Sequence, residues 1–161
     1  MLETNELAKF YLFKIFTEEQ LEELAEITEK KTYKQKDHIY EAGDRAKYLF
    51  VVKEGLVSLR RFELGDAEVG ITFEMRESGE LFGAASFMHP QHYTLTAVCL
   101  EDSEVLAIDA DKLSDLCEKD PAVGYRLMLR IAQVYFERYK FAKRSVHGMV
   151  HTPTVITALP G

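Results

Sequence analysis

The stretch Tyr33–Arg61 reads YKQKDHIYEAGDRAKYLFVVKEGLVSLRR. Two runs, KYLFVV inside it and LVSLRRF reaching one residue past its end, are rich in β-branched and aromatic residues. The first follows the turn signal Gly43-Asp44, and Glu54-Gly55 separates the two. Residues of this kind suit a pleated, half-buried surface, and glycine-acid pairs suit the reversals between strands. The same alternation continues outward in EVGITFEM, YTLTAVCL and SEVLAID, with further turn signals at Gly65-Asp66 and Gly79. Turns recurring at about 10–14-residue spacing predict an all-β sandwich or roll rather than βαβ units.

Helical patterning lies on both sides. FTEEQLEELAEIT carries Thr17 and Gln20 at capping-box spacing, with Phe16 and Leu21 placed as a hydrophobic staple. Leu21, Leu24, Ala25 and Ile27 make its apolar stripe, and its acidic residues form a solvated face. After Ile108, DADKLSDLCEKD predicts a short helix with Leu113, Leu116 and Cys117 on one side. A long helix follows, with Asp120 as N-cap and Pro121 in its first turn. Val123, Leu127, Ile131, Val134, Tyr135, Tyr139 and Ala142 follow helical spacing. Met128 and Leu129 widen the apolar surface beyond one stripe, which calls for two packing partners: the β-domain and a second copy of the chain. Gly148 reads as a helix stop. The expected organisation is residues 1–28 helical, 29–110 β-roll, 111–147 helical and 148–161 a tail.

Length and composition set outer bounds. A chain of 161 residues, 47% hydrophobic and 29% charged, suits one domain with a full core. No window approaches the roughly 18 apolar residues of a membrane span. The N-terminus lacks a signal-peptide pattern, and Cys99 and Cys117 lack metal-ligand spacing, so a reduced, cytoplasmic protein is expected. A net charge of −7 argues against nucleic-acid binding by the whole chain.

These residues carry a resemblance. Gly43, Asp44, Tyr48 and Gly55 stand where cyclic-nucleotide-binding domains of the Crp/Fnr type place their first turns and strands. SGELFGAASF resembles the phosphate-binding cassette of that family, and TAVCLEDSEVLAID its closing strands. The resemblance covers about residues 10–146. It implies a double-stranded β-helix (a jelly-roll or cupin-like β-roll) with an N-terminal helix and a long C-terminal dimerisation helix. It also implies a non-catalytic small-molecule sensor of transcription regulation, working as a homodimer. The family's helix-turn-helix domain would begin where this sequence stops, so the chain resembles the sensory half.

In the family, a glutamate after the second cassette glycine receives the ribose hydroxyl, and an arginine opening the next strand pairs with the cyclic phosphate. Here Ala84 follows Gly83, and Tyr93 stands at the arginine position, with Thr94 at the small or hydroxyl position after it. The resemblance thus implies a ligand site of Gly83, Ala84, Ala85, Ser86, Tyr93 and Thr94, with Arg138 and Tyr139 reaching in from the long helix. Two missing charge-assisted contacts, at about 1.5–3 kcal/mol each, weaken cyclic-nucleotide binding by about two to four decades. Three functions stay open: a sensor of another small effector, a genuine cyclic AMP or cyclic GMP binder using backbone amides and Arg138, and a dimerisation or partner-binding module whose pocket is self-filled.

Other chemistries find little support. His89 and His92, in FMHPQHY, are weak candidates for haem ligation; an exposed polar loop around Pro90 is the simpler reading. No H-x-H pattern supports a cupin metal site, and no nucleophile–histidine arrangement suggests catalysis. The basic run RYKFAKR, Arg138 to Arg144, suits a helix C-terminus, and no second reading helix follows it to enter a DNA groove.

Overall fold

A computed structural model describes residues 2–62 and 70–149, with side chains for all of these except 70–73. The chain opens with α1 (Thr4–Leu7), a 3-10 turn (Tyr11–Phe13) and α2 (Glu18–Glu26). It continues through β1 (Thr28–Tyr33), β2 (His38–Tyr40), β3 (Tyr48–Glu54), β4 (Val57–Phe62), β5 (Gly70–Arg76) and β6 (Leu81–Phe82). A second 3-10 turn (Ala84–Phe87), β7 (Thr96–Cys99), β8 (Ser103–Asp109), α3 (Ala110–Lys119) and α4 (Pro121–Met149) complete it. The predicted turn Gly65-Asp66, the start of EVGITFEM and the tail beyond Met149 lie outside the described residues.

The strands form two antiparallel four-stranded sheets, ordered β1-β8-β3-β6 and β2-β7-β4-β5. This is the expected β-roll. Side chains of β3 and β8 alternate between two cores, as the period of two requires. Phe50, Val52, Val105 and Ala107 face the roll interior. Leu49, Val51, Leu106 and Ile108 face the helices, where Leu7, Phe13, Leu24, Leu113 and Leu127 close over them.

Local chemistry explains the element boundaries. Thr17 Oγ1 accepts from the Gln20 amide while Gln20 Oε1 accepts from the Thr17 amide, so the capping box is formed. Asp109 caps α3 through the Lys112 amide. Asp120 Oδ1 accepts from the Ala122 amide at the start of α4. Gly55 has φ +102°, and a Cβ there would sit 2.3 Å from Ser103 Oγ, so no other residue fits this turn between β3 and β4.

Two sequence expectations need correction. The strand predicted from Tyr93 begins at Thr96 instead, because the Tyr93 backbone bonds the turn opposite: its amide donates to the Asp44 carbonyl and its carbonyl accepts from the Gly43 amide. Gly148 does not stop α4, which runs through it to Met149. Glycine in a helix costs only about 1 kcal/mol relative to alanine, too little to end a 29-residue helix by itself.

α4 has two apolar faces. Val123, Leu127 and Ile131 are buried against the domain, with Val134 partly so. On the other face, positions 125, 128, 132, 135, 139, 142, 146 and 149 alternate three and four residues apart. They hold Tyr, Met, Ala, Tyr, Tyr, Ala, Val and Met. Tyr125, Met128, Tyr135, Val146 and Met149 of this row are exposed. No helix among the described residues is long and apolar enough to cross a membrane.

Candidate functional site

The cassette folds as its glycines dictate. Gly83 takes the left-handed conformation (φ 78°) and starts the 3-10 turn Ala84–Phe87. Gly83 itself has no room for a side chain. A Cβ at Gly83 would lie 3.0 Å from the Tyr48 carbonyl oxygen, 3.1 Å from the Phe50 ring and 3.3 Å from the Tyr93 ring.

Tyr93 accounts for that crowding. It is buried, and its ring stacks on Tyr40 with centroids 3.6 Å apart and planes 13° from parallel. Phe50 and Phe82, themselves stacked at 5.0 Å, extend the aromatic layer under Tyr40. The Tyr93 hydroxyl donates to the Tyr48 carbonyl (2.8 Å) and accepts from the Tyr48 amide (3.1 Å). Both faces of its polarity are thus met by backbone, which is what lets a phenol sit in an apolar interior. Burial, the largest influence, pushes the Tyr93 phenol up to about 12, and the Tyr40 phenol moves in the same direction for the same reason. A shallow cleft of ≈ 400 Å³ lies beside this stack, lined by Tyr40, Tyr48, Phe50 and Tyr93 together with Asp44, Arg45 and Lys47.

The expected site residues therefore divide. Gly83 and Ala85 lie beside Tyr93 in the roll interior, whereas Ala84 packs into the helix-side core and the Ser86 carbonyl accepts from Gln91. Ala84 and Ser86 are buried and Ala85 half-buried, and the Ser86 hydroxyl has no hydrogen-bond partner among the described residues. Thr94 is exposed. Arg138 lies outside the roll: its Nη2 donates to the Leu81 carbonyl at 3.2 Å, and Leu81 belongs to the helix-side core. Tyr139 is half-buried on α4, with Lys143 5.3 Å from its ring centre. His89 and His92 are both exposed. Cys99 is buried and Cys117 half-buried, both free, and burial raises both thiols above their usual range, so neither is poised as a thiolate.

Sequence reading missed three contributors. Tyr40, in a strand of three residues, is the other half of the stack. Tyr48 matters through its backbone, which no residue pattern reveals. Arg76 is 5% exposed; its Nε also donates to the Leu81 carbonyl (3.1 Å), and its Nη2 pairs with Glu74.

The family model described as Cyclic nucleotide-binding domain matches residues 30–120. The chain belongs to the cyclic nucleotide-binding domain family. This cyclic-nucleotide-binding-type domain is 31% identical over 105 residues to the Cyclic AMP receptor protein of Thermus thermophilus, covering 65% of its own length and 48% of that protein. The chain thus spans about half the length of this curated relative. Among solved structures it is similar to a Geobacter metallireducens GS-15 protein named for cyclic-nucleotide binding. Identity is 28% and the TM-score 0.75, covering 86% of this chain and 98% of that one. It is also similar to the N-terminal domain of a transcriptional regulator from Streptomyces coelicolor A3(2), at 26% identity and a TM-score of 0.66, covering 83% and 94%. The Crp/Fnr-type resemblance and the β-roll read from the sequence are borne out by these relatives.

Proposed function

We propose that this chain is a non-enzymatic effector domain of the Crp/Fnr type, serving transcription regulation, whose roll does not hold cyclic nucleotides in the family's manner. One observation carries the reading. Tyr93, at the position where the family's arginine would meet the phosphate, lies stacked on Tyr40 and tied to the Tyr48 backbone. On this reading protein rings take the space that a sugar and cyclic phosphate would need. Ala84 offers no carboxylate to a ribose. Arg138, the one substitute charge the sequence offered, is engaged at the Leu81 carbonyl outside the roll. This placement speaks against a nucleotide binder that uses Arg138 in place of the usual arginine, and it favours a self-filled interior.

Signalling would then run through α4. Its exposed row of alternating three- and four-residue steps is the pattern of a two-stranded coiled-coil seam. Paired with a second copy, the seam would leave Val123, Leu127 and Ile131 on their own domain, so that each α4 joins one roll to one partner helix. Such a helix can pass a change of packing from domain to dimer. The proposed setting is the cytoplasm.

Isothermal titration with cyclic AMP and cyclic GMP tests the reading. The expected result is no saturable heat below millimolar ligand; low-micromolar affinity for either nucleotide would overturn it.

A further inference from the structure

We propose that the groove between the N-terminal segment and α4 binds a small organic anion, with Arg138 receiving its acid group. The groove has a volume of ≈ 540 Å³, within the range of small-ligand sites. Lys9, Lys14 and Arg138 line it together with Phe10 and Tyr11, and Glu80 is the one carboxylate among its described lining residues. That carboxylate already accepts from the Glu77 amide and closes the turn before β6.

Arg138 lies 5.0 Å from the Tyr135 ring centre, and Glu74 and Glu80 favour its charge from a distance, but no carboxylate pairs with it among the described residues. Its Nη2 donates to the Leu81 carbonyl, which also receives Nε of Arg76, so two guanidinium groups converge on one acceptor. Glu74 balances Arg76. Arg138 has no ion pair among the described residues, and its Nη1 is buried without an acceptor. Arginine does not escape such a position by losing its proton. Burial first, and the neighbouring Arg76 second, disfavour its charged form. Arg138 lines the groove, so an anion there would lie beside its guanidinium and offset the repulsion between the two cations. A bidentate acid group suits a guanidinium better than water does.

The surroundings repeat the deficit. Two turns earlier on α4, the Arg130 guanidinium lies 4.0 Å over the Tyr11 ring, and its Nε is buried without a partner. Lys9 and Lys14 form no ion pair among the described residues. Aromatic and aliphatic walls from Phe10, Tyr11 and Val134 complete the groove. The matching chemistry is a carboxylate or phosphate attached to a flat or apolar body. That binding here acts as the regulatory input rests on the sensory reading above; the binding itself does not.

The test titrates the whole chain with benzoate and, separately, with inorganic phosphate, at constant ionic strength against chloride. Melting temperature and amide chemical shifts are the readouts. The expected result is a saturable shift with millimolar or tighter affinity for at least one probe, weakened at least tenfold in Arg138→Gln. A Lys9→Gln/Lys14→Gln double variant, changed only at the surface, should weaken it severalfold, and Lys36→Gln, on another face, should not. Without anion, Arg138→Gln should melt no lower than the parent, because glutamine keeps a donor for Leu81 and removes the repulsion. Benzoate alone binding would mark the apolar walls as essential; phosphate alone would mark a bare oxyanion site. Neither probe exceeding chloride, or Arg138→Gln binding like the parent, would overturn the proposal. Cyclic-nucleotide affinity is measured separately, so its appearance would sink the closed-roll reading and leave this one standing.

Discussion

Tyr93, stacked on Tyr40 and bonded to the Tyr48 backbone, leaves thermodynamic signatures. Tyr93→Phe keeps the stack on Tyr40 and removes the hydroxyl that serves both backbone groups of Tyr48. Tyr48 is half-buried, so leaving its amide unmet should cost the lower part of the about 1–3 kcal/mol range for a buried group; urea unfolding should show a loss of about 1–2 kcal/mol with an unchanged m-value. The alkaline limb of stability follows from the same phenol. Below pH 10 Tyr93 is neutral both folded and unfolded, so its burial contributes in full. The unfolded chain ionises near the ordinary value of 10.0, whereas the folded one resists to about 12, so stability falls as pH rises from 10 to 12. The loss amounts to on the order of 2–3 kcal/mol. Denaturation midpoints between pH 9 and 12 should fall steeply in the parent and less so in Tyr93→Phe. Gly55 is decisive in a different way. Gly55→Ala adds a Cβ 2.3 Å from Ser103 Oγ at a positive φ, which should cost about 2–4 kcal/mol from strain and overpacking together. At the scale of about 2–4 °C per kcal/mol, calorimetry would register a drop near 10 °C.

α4 is the element on which the quaternary reading turns. Met128→Glu with Tyr135→Glu places like charges at neighbouring seam positions in both copies, while Val123, Leu127 and Ile131 keep the helix on its own roll. Sedimentation velocity should give a dimer for the parent and a monomer for the double variant, with helical circular dichroism retained. A parent that sediments as a monomer at tens of micromolar would refute the seam. Much of this element was legible beforehand: Asp120-Pro121 set its start, and helical spacing gave the residues packed on the roll. Its end was not, because a lone glycine is too weak a signal against so long a helix. The strand edge at Tyr93 was hidden for a related reason. Its alternation with Leu95 and Ala97 looks like strand, yet the Gly43-Asp44 turn pairs with it first. In β5, alternation alone would put Met75 inward, but a register shift opposite, between Leu59 and Arg60, leaves Met75 exposed and Arg76 buried.

At the scale of the molecule, two hydrophobic cores share the strands β3 and β8. Neither can dissolve without disturbing the other, so unfolding should be one cooperative transition. Leu106→Ala, in the helix-side core, should cost about 2–5 kcal/mol. Helical circular dichroism and tyrosine emission should still shift together; separate midpoints would show that the cores unfold independently. The sequence made the roll, its glycine turns and the altered cassette readable, because those depend on residue type at fixed spacing. It could not reveal the aromatic stack, since that depends on Tyr40 and Tyr93 meeting across more than fifty residues, nor that Arg138 donates to the Leu81 carbonyl. The tether between Tyr93 and Tyr48 has a further consequence for reversion. Swap the ring for a cation and Tyr40 still bars the doorway, while a main-chain amide is stranded. Clear the doorway first and the roll loosens before any guest can brace it. On the closed-roll proposal, a lineage with this ring would regain a nucleotide guest only through several concerted exchanges, each harmful when made alone.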